Sequence, residues 1–175
     1  MHQTAQRKGS AAGDARPLGV RTQATTATIP FRIKEIKVSD IFDRTTIVGA
    51  ARFFQNCVRN GDIEGALSSF HDDAVYVSQP GHFVKGRTEI RKALEFVCAM
   101  RPDLQAQRSV SFETGEIAAW LDEWTLKATT PDGVELDMSG TSSDIMQRLP
   151  NGNWVYLVDN PYGAAAVLDL PKDGL

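Results

Sequence analysis

Basic charge, cysteine and phosphate-binding glycines are scarce in this chain. Its 19 Lys and Arg are outnumbered by 22 Asp and Glu, and the two signs are unevenly spread. Residues 1–34 hold six basic side chains (Arg7, Lys8, Arg16, Arg21, Arg32, Lys34) and one acid, Asp14, leaving 13 basic against 21 acidic groups in the remainder. An acidic body repels phosphate, so no nucleic-acid partner is expected. Two cysteines, Cys57 and Cys98, are too few for a stapled secreted scaffold. Neither belongs to a CxxC pair, and both fall in predicted helices, where a free thiol packs as a small hydrophobe. No apolar run reaches the length of a membrane span, so no membrane partner is expected. A Gly-rich phosphate loop, an HExxH pair and a nucleophile with both base and orienter are all missing. No metal and no cofactor is therefore expected, and the chain reads as cytoplasmic.

What is present suits one domain with a sizeable core. Residues 1–30 are rich in Ala, Thr, Gly, Gln and Arg; with almost no large apolar side chains they cannot offset their ordering entropy, and read as a disordered tail. The tail is Arg-containing and acid-poor, as transit peptides are, but lacks an amphipathic stripe and a secretory apolar core. Residues 31–40 alternate like an extended arm, 41–165 form the domain, and 166–175 a C-terminal tail.

Helical spacing begins after Ser39-Asp40, a pair of good N-caps. Ile47, Ala51, Phe54 and Val58 make a stripe, stopped at Asn60-Gly61. A short second helix places Ile63, Ala66, Leu67 and Phe70 on one side, and His71-Asp72-Asp73 ends it. Ala74–Ser78 is a strand, Gln79–His82 a loop, and Phe83–Lys85 a second short strand. A third helix opens near Thr88 with Ile90, Leu94 and Val97, and Pro102 closes the region. From Asp103 to Asn160 four long strands are joined by turns at Thr114-Gly115, Pro131-Asp132-Gly133 and Pro150-Asn151-Gly152. Helices ahead of an antiparallel sheet give an α+β fold.

Strand period two sets the faces. Leu136, Met138, Gly140, Ser142, Asp144 and Met146 share the inner one. Pairing Thr130 with Val134 places Asp122 opposite Ser142, Trp120 opposite Asp144 and Trp124 opposite Gly140. Pairing Leu149 with Asn153 then places Asp144 opposite Val158 and Ser142 opposite Asn160. Two carboxylates thus project inward among indoles, where they must be paired, hydrogen-bonded or used. A bulge would shift the register by one residue and exchange the faces. The strand from Asp103 leaves two alternatives. A strict two-residue turn aligns Leu104, Ala106, Arg108, Val110 and Phe112 with Ile117, Ala119 and Leu121; a bulge would restore parity with Trp120 and let Arg108 neutralise one carboxylate. Asp122 has its own alternative, an outer-face position paired with Lys or Arg.

The segment GDIEGALSSFHDDAVYVSQPGHFVKGRTEIRKAL resembles the front half of the nuclear-transport-factor-two-like superfamily, which includes ketosteroid isomerases and SnoaL-like polyketide cyclases. GEIAAWLDEWTLKATTPDGVELDMSGTSSDIMQRLPNGNWVYLVDNPYG is similar to the back half of small bacterial ketosteroid-isomerase homologues. The resemblance runs from Arg44 to Gly163. It implies a cystatin-like, cone-shaped curved antiparallel sheet wrapped around three helices, a pocket at the open end, and a homodimer formed through the sheet. In ketosteroid isomerases an Asp base follows the DDA strand; Ser78 stands there, or Gln79 with a one-residue slip. A Tyr on the first helix donates to the oxyanion; Phe54 stands in its place. The second oxyanion acid falls on Asp144. Steroid isomerisation is therefore not expected. The Asp-Arg-Asp set of the epoxide-hydrolase branch has no equivalent, whereas SnoaL-type cyclases use an Asp as acid/base, a role open to Asp122 or Asp144.

The expected site thus has Asp144 and Asp122 as catalytic candidates. Phe54, Tyr76, Ser78, His82, Trp120, Trp124, Ser142 and Asn160 are candidates for contact with a small apolar organic ligand. Each has a plainer reading: core packing for the indoles, a surface role for His82, chain capping for Asp159-Asn160-Pro161. Two functions follow, an isomerase- or cyclase-like enzyme, and a non-catalytic ligand-binding or dimerisation module.

Overall fold

A computed structural model describes residues 41–167. The predicted tail, the arm, the Ser39-Asp40 cap and residues 168–175 lie outside them. Helix α1 (Ile47–Asn60) starts later than the sequence suggests, because residues 41–46 form turns and Thr46 is the cap, its side chain accepting from Gly49 N–H at 3.0 Å. Such a cap contributes about 1 kcal/mol. The helix ends as expected at Gly61, whose φ of 71° is left-handed and lets its N–H reach the Val58 carbonyl at 3.1 Å. Helix α2 (Ile63–Leu67) is capped by Asp62 and stops before Phe70, which already belongs to strand β1 (Phe70–Gln79). Strand β1 is therefore longer than the predicted Ala74–Ser78, and His71-Asp72-Asp73 lie within it. A hairpin leads to β2 (His82–Lys85), and α3 (Gly86–Ala99) follows directly.

Strands β3 (Asp103–Thr114), β4 (Ile117–Thr129), β5 (Glu135–Thr141), β6 (Asp144–Arg148) and β7 (Trp154–Asp159) complete one seven-stranded sheet in the order β2-β1-β7-β6-β4-β3, with β5 also on β4. All described pairings are antiparallel except β1 with β7, which is parallel. The predicted third strand of the four is divided in two. Its pairing with β4 breaks at Ser142-Ser143, yet register survives across the gap: Trp124 faces Gly140, Trp120 faces Asp144, and Ser142 N–H donates to the Asp122 carbonyl at 2.8 Å.

Two bulges decide which side chains point inward. In β3 an extra residue, Gln107, lies between the pairs Ala106–Trp124 and Arg108–Glu123. Both alternatives for this strand therefore hold, in different halves: Leu104 and Ala106 share the inner face with Trp124, while Arg108, Val110 and Phe112 turn outward. In β7 an extra residue, Leu157, lies between Met146–Tyr156 and Ile145–Val158. This corrects the predicted register. Val158 moves to the outer face, Asp144 faces Asp159 instead, and Ser143 rather than Ser142 bonds to Asn160.

The helices pack on one face of the sheet around Val58, Ala66, Ile90, Leu94, Ala118, Met146 and Trp154. A 3-10 helix (Gly163–Val167) follows β7, and Ala166 accepts from Gly81 N–H at 3.0 Å. No described helix is long and apolar enough to cross a membrane.

Candidate active site

A cavity of about 280 Å3 lies between the helices and the inner face of the sheet. Phe54, Gln55 and Val58 of α1 and Leu94, Phe96 and Val97 of α3 form one wall. Tyr76 and Ser78 of β1, Trp124 and Leu126 of β4, and Leu136 and Met138 of β5 form much of the other. Asp122, Ser142, Asp144, Tyr156, Asp159 and Tyr162 supply polar groups. The Trp124 indole is fixed by its N–H donating to the Pro161 carbonyl at 2.7 Å. It lies against Gly140, where a Cβ would come within 2.6 Å of the ring, so a bare backbone is needed there.

Three carboxyls meet at this wall. Asp122, Asp144 and Asp159 are only 6%, 3% and 5% exposed, although carboxylates are rarely buried without a cation. Among the described residues, no Lys, Arg or His lines the cavity. Arg108 is turned away by the β3 bulge and makes a two-pronged ion pair with Glu123 on the outer face.

Ser142 joins two of the acids. Its Oγ lies 2.5 Å from Asp122 Oδ1 and 2.9 Å from Asp144 Oδ2. A hydroxyl has one hydrogen to donate. One contact must therefore run the other way, from a protonated carboxyl to Oγ. Burial, moderated by the Asn160 N–H at 2.8 Å and by Ser142, pushes the Asp144 carboxyl up to about 7. Burial also raises Asp122, while Ser142 and Trp120 draw it back. The proton accordingly sits on Asp144, and Ser142 donates to an ionised Asp122.

Asp159 accepts no hydrogen bond from the described residues. Burial, and then the charges of Asp144 and Asp122, push it well above the usual carboxylate range. It stands opposite Tyr76 across the parallel β1–β7 pair. Burial likewise holds the Tyr76 and Tyr156 hydroxyls in their protonated form. Tyr156 packs edge-on against Phe54, with centroids 5.3 Å apart. A phenol is thus present beside the helical position that lacks one. The three acids do not form a group that could hold a metal ion.

Of the residues singled out from sequence, Asp122, Asp144, Phe54, Tyr76, Ser78, Trp124 and Ser142 come together around the cavity. Trp120 is buried but faces a smaller cleft between α1 and β3. His82 is exposed on β2 and does not line the cavity. Asn160 uses its side chain to close a turn, donating to the Gly163 carbonyl at 3.0 Å, and touches the acids through its backbone alone. Asp159, Tyr156, Tyr162 and Gln55 line the cavity without having been expected there. Trp154, Val155 and Tyr156 are all buried, so no alternation in β7 signalled the bulge that turns Asp159 inward.

This cone of sheet and helices is the nuclear-transport-factor-two-like fold, also called cystatin-like. It is shared with a superfamily protein from Salmonella enterica serovar Typhimurium (15% identity, 73% of this chain and 93% of that one, TM-score 0.61). A ketosteroid isomerase-like protein from Erwinia carotovora atroseptica is similar at 15% identity over 67% of this chain and 92% of that one, TM-score 0.57. A protein with a cystatin-like fold from Nostoc punctiforme is similar at 17% identity over 72% and 92%, TM-score 0.53. Within that fold the chain belongs to the SnoaL-like domain family, whose model matches residues 50–156. No curated protein matches it.

Proposed function

We propose that this SnoaL-like domain binds a small, largely apolar organic molecule and moves a proton next to its carbonyl group, as in isomerisation or cyclisation. The observation that carries this reading is the set of buried carboxyls, without a counter-cation among the described residues, on the wall of a largely apolar cavity. A general acid or base works best when it titrates near the operating pH, which suits Asp144. Asp122 takes a proton from the carbon beside the carbonyl, and Asp144 returns one at a second carbon. The Ser142 hydroxyl then passes the proton from Asp122 to Asp144 and resets the pair. Asp159, held neutral, donates a hydrogen bond to the enolate oxygen, a role open to a carboxylic acid in an apolar site.

The test is exchange of the α-hydrogens of small cyclic ketones and enones in D2O, followed by NMR. The protein is expected to catalyse exchange, with the rate falling on the alkaline side through about pH 7 as Asp144 loses its proton. Asp144→Asn is expected to lower the rate by about 100-fold or more while leaving the fold intact. Exchange no faster than in buffer across the panel overturns the reading.

A second reading, association through the sheet, has its own observation. Val110, Phe112 and Ile117 are exposed together on the outer face of β3 and β4. Light scattering after size exclusion tests it: a dimer converted to monomer by Phe112→Glu supports the reading, and a wild-type monomer removes it. Both readings can hold at once, since the two faces are opposite.

A further inference from the structure

The cavity's polar equipment is one-sided, and that one-sidedness specifies the charge of what it holds. Among the described residues, every ionisable side chain facing it is acidic or phenolic. Asp122 comes from β4, Asp144 from β6, Asp159 and Tyr156 from β7, Tyr76 from β1 and Tyr162 from the turn after β7. Helices α1 and α3 add only uncharged residues. A carboxylate or phosphate would bring a permanent charge beside the ionised Asp122 with no cationic donor among the described residues, at an electrostatic cost that an ammonium does not meet.

Two further observations point to a ligand. Asp159 is nine-tenths buried, lines the cavity, and has no hydrogen-bond partner among the described residues. Gln55, 9% exposed, lines the same space, and its carboxamide has no hydrogen-bond partner among the described residues. Among the described residues the one fully enclosed side-chain atom without a partner is Arg44 Nε, so the polar atoms of Asp159 and Gln55 are not sealed in the core but open to the cavity and to whatever fills it. Aromatic rings of Phe54, Tyr76, Trp124, Tyr156 and Tyr162 surround these groups. Acids set among aromatic rings match an alkylated ammonium, which combines charge with an apolar skin and gains further from ring faces.

We propose that the molecule held here carries a protonated amine on an apolar body, the ammonium seated between Asp144 and Asp159 and the body against the α1 and α3 wall. This rests on the cavity reading above and names its ligand class. Seating the cation on carboxyls that hold protons expels a proton, so binding strengthens as pH rises from about 5 to about 8.

Titration calorimetry with three shape-matched probes tests it: N,N-dimethylbenzylamine, isobutylbenzene and phenylacetate. At neutral pH the ammonium is expected to bind about tenfold or more tighter than the neutral isostere. Phenylacetate is expected not to bind. Proton release should appear as a heat that changes with buffer ionisation enthalpy. Asp144→Asn/Asp159→Asn should abolish the amine preference and keep the affinity for isobutylbenzene, which shows that the cavity is intact. Isobutylbenzene binding as tightly as the amine, or phenylacetate binding at all, overturns the amine assignment and leaves the apolar cavity standing. Failure of all three probes overturns both. Amine binding without ketone exchange keeps this assignment and removes the proton-transfer reading.

Discussion

Asp122 and Glu123 are chain neighbours on β4 with opposite fates. Glu123 points outward, meets Arg108 and is held below the usual carboxylate range by that guanidinium. Asp122 points inward, meets no cation among the described residues and is raised by burial. The strand's two faces thus run opposite electrostatics one residue apart. The difference arises in β3, where Gln107 turns Arg108 toward Glu123. Without that bulge the same arginine would stand opposite Asp122. Among the described residues the inner acids lack a cation because Arg108, which the sequence places close by, is routed to the outer face.

The largest expected effect lies in the pH dependence of stability. Asp144 titrates near 7 in the folded protein and near 3.9 when unfolded. The folded state therefore binds the proton more tightly, and stability falls as pH rises from about 4 to about 7. The upper limit for Asp144 alone is on the order of 4 kcal/mol; Asp122 and Asp159 act in the same direction. Denaturant unfolding should show a higher midpoint at pH 5 than at pH 7.5, and Asp144→Asn should flatten that slope. A midpoint that climbs with pH over this range would mean the inner acids are compensated after all.

Next in size is the packing of the inner face. Gly140→Ala places a Cβ against the Trp124 indole and is expected to cost about 1–3 kcal/mol. Gly133 is open, with nothing within 4 Å of a Cβ, so any cost of Gly133→Ala comes from its positive φ alone. Thermal melts of the two variants separate crowding from backbone strain.

Smaller again is the effect of supplying the missing cation. Ser109 stands directly opposite Asp122, within reach across the strand pair. Ser109→Arg is expected to add about 1 kcal/mol at neutral pH. The gain should shrink as pH falls and Asp122 takes up its proton, and an equal gain at neutral and acid pH would point to packing instead. The smallest effect belongs to the outer pair. Glu123→Gln should leave the melting midpoint nearly unchanged, and what change there is should shrink in salt, because exposed pairs are screened.

Local signals carried most of the architecture. The stripe Ile47, Ala51, Phe54, Val58 and the stop at Gly61 define α1, and the alternation around Leu136–Met146 puts Asp122, Ser142 and Asp144 on one inner face. The even spacing held across the break at Ser142-Ser143, which is why Trp120–Asp144 and Trp124–Gly140 pair as expected. Illegible were the bulges at Gln107 and Leu157, since each is a single unpaired residue set by contacts between distant strands, with no glycine or proline to mark it. They cost the reading two things: the destination of Arg108 and the presence of Asp159. The start of α1 was misread for a related reason, as Ser39-Asp40 and Thr46 are chemically equivalent caps and only packing chooses between them.

The Leu157 bulge has one last consequence. Because pairing with β6, and not a particular side chain at the bulge, aims Asp159 inward, exchanging Leu157 for another amino acid leaves the third acid in place. Excising Leu157 leaves it in place too, because Tyr156, Val158 and Asp159 then run in ordinary alternation opposite Met146, Ile145 and Asp144. A relative with a gap here would keep the third acid beside the Asp122–Ser142–Asp144 chain, so the direction of that acid is fixed by the pairing of its own segment with β6 and not by the residue that bulges.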